Sequence, residues 1–344
     1  MGESVSMGDV KMTETKAFSS ESLEQKKRRM IWSNRIKLGI RIIGIAILVF
    51  FLFSIYRGLT YFYFDRSGKS FQFERAVITL VELHGDGLKV DKDIRLIKVS
   101  PLLKQSITAK VYRQVGEQKR IIGELHAEQS LFGEIRYTLD DNPQYLNGNT
   151  LNLWVPMSVI YGGGEKALKR EEEAIKQLGH IEDGFVSEMS FTLTKAMPPQ
   201  QLAELLSDYD LWITAMPMYS GEMKEVKLSN YSTSGDSMYV PHLTLRPFFS
   251  YSEDGLGRTE ATSISTDDID MASQQMMKDL EWLTTHVNYN GVQEDKQRLT
   301  FLKNNGIQVY GAVVTGPVRE LEKLKEVPAF HNFGLGQIEV WNWK

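Results

Sequence analysis

The feature that most constrains this chain is an uncharged apolar run, IIGIAILVFFLFSIY, which covers residues 42–56. A helix needs about 20 apolar residues to cross the hydrocarbon core of a bilayer. Apolar neighbours on both sides extend the run over residues 38–64, which is long enough. We therefore predict a transmembrane helix at 38–64. The side chains that represent this membrane anchor are Ile42, Leu48, Phe51 and Tyr56.

Two other interpretations of the run fit less well. A helix in the core of a soluble protein shows a polar face, and this run shows none. A cleaved signal peptide has a shorter leader and a small-residue cleavage site, whereas this run follows a leader of about 40 residues and ends in TYFYFDR. The pattern favours an uncleaved anchor.

The charges on either side of the run predict its orientation. Residues 26–41 hold seven Lys or Arg and no acidic residue, whereas residues 57–75 mix both signs. Positive flanks stay in the cytoplasm. We predict a single-pass protein of the cell membrane, with residues 1–37 in the cytoplasm and the C-terminal region outside.

The overall net charge of -4 hides an asymmetry. Residues 1–41 carry nine basic and five acidic side chains, a balance of +4, so the remainder carries -8. The basic part suits a lipid bilayer as partner, and the acidic part argues against binding nucleic acid. The chain has no cysteine, which excludes disulfides, thiolate zinc sites and a thiol nucleophile.

The cytoplasmic tail is predicted to be disordered over residues 1–19 and then to form a basic helix, since SLEQ at 22–25 has the form of a capping box. Two roles for this helix stay open. It either lies in the lipid headgroup layer or docks a cytoplasmic protein. The side chains proposed to contact such a partner are Leu23, Met30, Ile31 and Trp32.

The outer region divides by pattern into residues 65–182, which are β-rich, and residues 183–344, where strands and helices alternate. Helices are predicted at 165–178, 267–286 and 292–303, and strands at 307–314 and 337–343. The strands predicted in the first part are Phe73–Glu82, Ile107–Val115, Arg120–His126 and Leu151–Ile160, with GEQK at 116–119 as a hairpin turn between the second and third of them.

These patterns predict an α+β fold: one N-terminal transmembrane helix, followed by an extracytoplasmic mixed sheet with helices on one face. The ferredoxin-like plan is one arrangement compatible with the C-terminal half. The sequence alone does not order the strands.

No motif for catalysis is evident. The glycine run before Lys166 lacks the spacing of a phosphate loop, and the six histidines never show the His-x-x-x-His spacing of zinc proteases. Acid clusters such as Asp267, Asp268 and Asp270 do not follow the EF-hand pattern. We predict no enzyme activity, no cofactor and no metal site.

Two blocks near the C-terminus carry a resemblance: VYGAVVTGP at 309–317 and EVWNW at 339–343. They resemble the C-terminal domain of the sigma-factor regulators, the membrane-anchored anti-sigma factors of Bacillus-type bacteria, and in particular the anti-sigma-M factor type. The matching side chains are Val309, Tyr310, Gly311, Thr315, Gly316, Pro317, Trp341 and Trp343. For these side chains, core packing and ligand contact are both open.

The resemblance implies that the cytoplasmic N-terminus holds an extracytoplasmic-function sigma factor and that the outer domain is tied to envelope stress. The inner segment has no His and no Cys, so it lacks the zinc-binding motif that such anti-sigma factors often carry. Binding of the sigma factor directly or through a second membrane protein therefore stays open. The alternative is a sensor of an envelope component without a sigma link, for which an acidic outer domain suits a cationic ligand.

Overall fold

The computed structural model describes residues 9–91, 97–141, 151, 153–162, 170–251 and 258–341. These residues belong to two compact units, Met1–Tyr63 and Phe64–Lys344. We call the second one the outer unit.

The first unit is built on one long helix, α1, Asp9–Arg66, whose last turn belongs to the outer unit. Its stretch Glu24–Arg66 is long and apolar enough to cross a membrane, and none of its most apolar window is buried. The Ser54 hydroxyl donates to the Phe50 carbonyl at 2.9 Å, so this polar group is satisfied within the helix. The disorder predicted for residues 1–19 is wrong for 9–19, which continue the helix; residues 1–8 lie outside the described range.

The outer unit alternates helices and strands. Its helices are α2 Lys69–His84, α3 Met157–Tyr161, α4 Arg170–Gly179, α5 Pro199–Leu206, α6 Ile269–His286, α7 Val292–Asn305 and α8 Val318–Lys323, followed by the 3-10 turn Leu324–Glu326. Its strands are β1 Lys89–Val90, β2 Lys98–Val99, β3 Lys104–Val115, β4 Gln118–Ser130, β5 Arg136–Asp141, β6 Val155–Pro156, β7 Phe185–Met197, β8 Trp212–Tyr219, β9 Ser232–Ser234, β10 Ser237–Tyr239, β11 Leu243–Leu245, β12 Phe249–Tyr251, β13 Arg258–Glu260, β14 Gln308–Pro317 and β15 Phe330–Val340.

The first sheet is antiparallel, in the order β1-β3-β4-β5 with β2 on the start of β3. The predicted hairpin of β3 and β4 is confirmed: Val115 pairs with Gln118 across the turn Gly116–Glu117. α2 packs on this sheet through a cluster that includes Phe73, Val77 and Leu80.

Two predicted strands are wrong. Phe73–Glu82 lies inside α2. Residues 76–83 of this helix are all buried, so the segment shows no polar face that would distinguish a helix from a strand. The segment Leu151–Ile160 contributes only the two-residue β6 before it turns into α3. Both segments are short apolar runs, in which the sequence pattern does not distinguish the two-residue period of a strand from the 3.6-residue period of a helix.

The second sheet is also antiparallel, in the order β11-β8-β14-β7-β15. Its four long strands follow one another in the chain as β7-α5-β8 and β14-α8-β15, and their spatial order is fourth, first, third, second. This is the ferredoxin-like plan. Residues 220–307 form an insertion between its two halves, and the insertion supplies β11, α6 and α7.

The helices cover one face of the second sheet. Met189, Phe191 and Leu193 of β7 point into a core that also contains Leu206 of α5 and Leu321 of α8. The alternate residues of β7 face the other way and are buried as well, among them Glu188 and Thr192. The predicted α+β class with helices on one sheet face is confirmed.

A buried ion pair and a histidine–carboxylate contact join the two parts of the outer unit. Arg113 of β3 lies 3.0 Å from Glu188 of β7, and His84 of α2 lies 3.0 Å from Asp295 of α7. The division at residue 183 stays a prediction, because these contacts describe how the parts pack and not whether either folds alone.

Candidate functional site

The most distinctive sequence blocks meet at one end of the second sheet. β7 and β8 begin there, and β14 and β15 end there, because neighbouring strands are antiparallel. The β3–β4 turn of the first sheet packs against this end and closes a cleft of about 240 Å³. The cleft is lined by Gly116, Glu117, Gln118, Val186, Asp210, Trp212, Thr315, Gly316, Pro317, Val340 and Trp341.

Thr315 joins the two sheets beneath the cleft. Its hydroxyl accepts a hydrogen bond from the Gly116 amide at 2.7 Å and donates to the Ser187 carbonyl at 2.9 Å. The side chain is 1% exposed, so both backbone groups would be left unsatisfied without it. The threonine of the TGP block is therefore a structural link that holds the hairpin turn in place.

Replacing Thr315 with Val is expected to lower the free energy of unfolding by about 1–3 kcal/mol, because a buried N–H and a buried C=O lose their partner. The measurement is urea denaturation of the full chain in detergent. Thr300→Val is the control, since the Thr300 hydroxyl only donates to the Lys296 carbonyl on an exposed helix face. Equal urea midpoints for the two variants would contradict this role.

The two glycines of the first block are required by close approach of neighbouring backbone. A Cβ at Gly311 would lie 2.3 Å from the Phe191 carbonyl oxygen, where the ladder between β14 and β7 is bulged. A Cβ at Gly316 would lie 2.7 Å from the Asp210 carbonyl oxygen. Any larger residue would push β14 away from its neighbours and widen the cleft.

Val309 and Tyr310 of the same block are fully buried. Val309 belongs to the core under the helices, and the Tyr310 ring meets His242 edge-on at 5.7 Å between centroids. Pro317 caps the start of α8. Val309 and Tyr310 therefore serve core packing, whereas Thr315, Gly316 and Pro317 line the cleft.

Trp341 lines the cleft and donates its backbone amide to the Gly184 carbonyl at 2.8 Å. Trp343 lies outside the described residues. The predicted strand 337–343 is confirmed as the end of β15, which stops at Val340.

The cleft is acidic and aromatic. Asp210 and Glu117 supply its carboxylates, Trp212 and Trp341 supply its rings, and no Lys or Arg is among the described residues that line it. Such a lining suits a cationic group, which carboxylates attract and which can stack on an indole. Sequence reasoning did not assign Asp210 and Trp212 to a site; a Trp at a strand start beside two aspartates was the available signal.

A buried ion pair lies behind this end of the sheet. The Arg113 guanidinium donates to Glu188 at 3.0 Å and to the Asp86 carbonyl at 2.6 Å. Burial raises the pKa of Glu188, and the nearby Arg113 only partly offsets this effect. Arg113 and Glu188 therefore form an ion pair in which both side chains are buried.

His242 lies nearby with both ring nitrogens facing acceptors. Nε2 is 2.8 Å from an Asp86 carboxylate oxygen, and Nδ1 is 3.0 Å from the Val240 carbonyl. Because a carbonyl and a carboxylate both accept hydrogen bonds, these two contacts favour the doubly protonated, cationic ring. Burial lowers the pKa of His242, but Asp86 outweighs burial and the net shift is upward.

The stability of the outer unit is therefore expected to depend on pH through His242. A raised pKa in the folded state adds stability that is complete below the unfolded value of about 6.5 and is lost as pH rises through the folded pKa. His242→Gln should destabilise the chain more at about pH 6 than at about pH 9. Urea midpoints at both pH values measure this difference, with the exposed His180→Gln as control. A pH-independent gap between wild type and His242→Gln would contradict it.

The proposed partner-binding residues lie on α1 in the first unit. Met30, Ile31 and Trp32 are exposed there, and the side chain of Leu23 is outside the described set. The anchor residues Ile42, Leu48, Phe51 and Tyr56 are exposed on the same helix. Exposure leaves both roles open. Across the described residues, no group of three His, Asp or Glu could hold a metal ion.

The sequence of the second sheet carries a family likeness. Residues 178–337 match the family model described as "Sigma factor regulator C-terminal". The predicted resemblance is confirmed, and the matched range coincides with the ferredoxin-like part and its insertion.

A relative supports the same assignment. The chain is similar to "Probable anti-sigma-M factor YhdL" of Bacillus subtilis (strain 168), with 24% identity over 181 residues. The aligned region is 52% of this chain and 46% of that protein, so the match spans about half of the relative's length. No solved structure matches the chain.

The cleft lies at the border of the sigma-factor regulator domain. Val186, Asp210, Trp212 and the TGP residues fall within the matched range, whereas the hairpin turn 116–118 and Trp341 fall outside it. The regulator domain thus supplies one wall, and the preceding part of the chain supplies the other.

Proposed function

We propose that this chain is a membrane-anchored negative regulator, either an anti-sigma factor or its co-regulator, of an extracytoplasmic-function sigma factor. One observation carries the proposal: a sigma-factor regulator domain shares its chain with an exposed apolar helix long enough to cross a bilayer. The relative named as a probable anti-sigma-M factor supports the same direction.

In this proposal the helix α1 joins the two sides of the membrane. Its basic segment 26–41 stays in the cytoplasm, and the regulator domain lies outside. Phe64, in the last turn of α1, is fully buried in the outer unit, and only Ser67 and Gly68 separate α1 from α2.

The cytoplasmic contact is proposed to use Leu23, Met30, Ile31 and Trp32. An exposed apolar side of a basic helix fits a groove on a protein partner. That partner is the sigma factor itself or a second membrane protein that binds it.

The test combines transcription with purification. Deleting the gene is expected to raise transcripts that depend on the sigma factor, and unchanged transcripts would overturn the proposal. The double variant Met30→Gln and Trp32→Gln should raise them as the deletion does, whereas Ser33→Ala on the same helix should not. Co-purification of the full chain in detergent then separates direct binding of the sigma factor from binding through a second membrane protein.

Orientation needs its own test. Alkaline phosphatase fused after residue 344 is expected to be active. This reporter is active only outside the cytoplasm, where the proposed topology places the C-terminal region. An inactive alkaline phosphatase fusion, together with an active fusion of a reporter that works only in the cytosol, would contradict the topology.

The cleft favours a second candidate function, the binding of a cationic envelope ligand. Asp210, Glu117 and the two tryptophans supply the required chemistry. Polylysine is the probe and polyglutamate its control. Polylysine is expected to raise the melting temperature of the full chain in detergent, and Asp210→Asn with Glu117→Gln should reduce the shift. Equal shifts with and without the two substitutions would place the binding elsewhere.

A further inference from the structure

Two turns lie side by side at the end of the first sheet that is opposite the cleft. Lys104 at the start of β3 pairs with Ser130 at the end of β4, so the turn 100–103 and the turn 131–134 share that edge. The cleft-side turn lies at the far end of the same two strands, where Val115 pairs with Gln118. We call the two neighbouring turns the paired tips.

The paired tips carry the most exposed apolar side chains of the outer unit. Leu102 is 88% exposed and Phe132 is 91% exposed. No other large apolar side chain in the described part of the outer unit exceeds 58%. Neither side chain packs against the unit that carries it, although Leu and Phe are usually buried.

The backbone of the first tip is held in a rare conformation. Leu103 has φ of 58°, in the left-handed region that favours Gly or Asn. The Leu103 amide donates to the Ser100 carbonyl at 3.0 Å, and the Ser100 amide donates to the Lys104 carbonyl at 2.8 Å. The turn therefore holds Leu103 in a conformation that Gly or Asn adopts more easily, and it exposes Leu102 to solvent. Both features are unfavourable for leucine, which indicates a function for this turn.

The charges beside the tips differ from those of the outer unit as a whole. Residues 97–104 include Lys98 and Lys104 and no acidic residue, whereas residues 42–344 carry a net charge of -8. Two carboxylates lie beside the tips, and each has a basic partner: Glu128 pairs with Lys104, and Glu134 of the second tip lies 2.9 Å from Arg136. Apolar tips with basic neighbours suit the boundary between acyl chains and anionic headgroups.

We propose that the paired tips insert into the headgroup layer of the bilayer that α1 crosses. This inference depends on the proposed membrane anchor. Only Ser67 and Gly68 separate α1 from α2, so the chain connection between the anchor and the outer unit is short.

The absence of cysteine permits a direct test, since any introduced cysteine is unique. Nitroxide labels are attached to Leu102→Cys, Phe132→Cys, Glu117→Cys at the opposite turn, and Leu48→Cys in the anchor. The full chain is reconstituted in nanodiscs of equal parts phosphatidylglycerol and phosphatidylcholine. Power saturation then compares the access of oxygen with that of a water-soluble nickel complex.

We expect the labels at positions 102 and 132 to be more accessible to oxygen and less accessible to nickel than the label at 117. The label at 48 should be the most oxygen-accessible. Labels at 102 and 132 that behave like 117, while 48 reads as lipid, would overturn the inference and leave the anchor intact. A label at 48 that reads as water would overturn both.

A second measurement tests the apolar side chains themselves. A label at the exposed Ser130→Cys is compared in chains with and without Leu102→Ser and Phe132→Ser. We expect the double substitution to shift the label toward water. An unchanged accessibility would overturn the role of these two side chains.

Discussion

Replacing Arg298 with Met is expected to lower the free energy of unfolding of the outer unit by about 3–5 kcal/mol. The guanidinium is buried and donates to Asp295 at 2.7 Å, to Glu222 at 3.3 Å and to the Pro241 carbonyl at 2.6 Å. Its loss removes the arginine partner of two fully buried carboxylates and leaves Asp295 with His84 and the Tyr289 hydroxyl. Removing one member of a buried ion pair costs far more than the pair contributes by itself.

The surroundings of Asp295 increase this cost. Burial raises the pKa of Asp295, but His84, Arg298 and the Tyr289 hydroxyl outweigh burial and hold it well below its usual range. The carboxylate therefore stays charged when Arg298 is removed, and it remains in a dry site.

The measurement is urea denaturation of the full chain in detergent, followed by tryptophan fluorescence. Arg319→Met is the control, because Arg319 also pairs with two carboxylates, Asp183 and Glu322, but its side chain is 43% exposed. Surface pairs of this kind are screened by water and contribute little to stability. Similar losses for Arg298→Met and Arg319→Met would contradict a structural role for the buried network.

Replacing Phe191 with Ala is expected to cost about 3–5 kcal/mol, since it empties the centre of the core beneath the helices. The ring is fully buried, stacks on Phe330 at 4.2 Å between centroids and lies 6.2 Å from Phe333. Phe191 lies on β7, which forms the first strand of the ferredoxin-like plan, and Phe330 and Phe333 lie on its fourth strand. The substitution therefore weakens the packing between β7 and β15, the first and last strands of this plan.

Phe132→Ala is the matched control. It removes the same group from a paired tip where the side chain packs against no neighbour in the protein, so the urea midpoint in detergent should stay near that of wild type. Loss of stability at Phe132 comparable to that at Phe191 would contradict the described burial.

The segment 73–82 illustrates where pattern reasoning failed. Its sequence FERAVITLVE is rich in β-branched residues and predicts a strand, yet the structure places it in α2. The helix is stabilised by tertiary contacts on opposite sides. Phe73 and Val77 pack into the first sheet's core, while Glu82 pairs with Arg246. Packing of this kind overrides local propensity.

The long helices and the closing strands were predicted more accurately. In residues 267–286 and 292–303, apolar and polar side chains alternate with a helical period. Both segments form helices, α6 and α7. β14 follows the predicted strand 307–314 with a shift of a few residues at its end. Such segments are long enough to show one period clearly.

The sequence by itself determined the apolar stretch of α1, the charge bias around it, the α+β class and the family likeness of the TGP and EVWNW blocks. Each of these is a local property, carried by neighbouring residues or by a short motif. Only the tertiary structure decided the ferredoxin-like strand order, the bridge from Thr315 to Gly116, the cleft between the two sheets and the buried partners of Arg298. The contact between Thr315 and Gly116 alone joins residues 199 positions apart. Such distant segments meet because burying both faces of the second sheet brings them together.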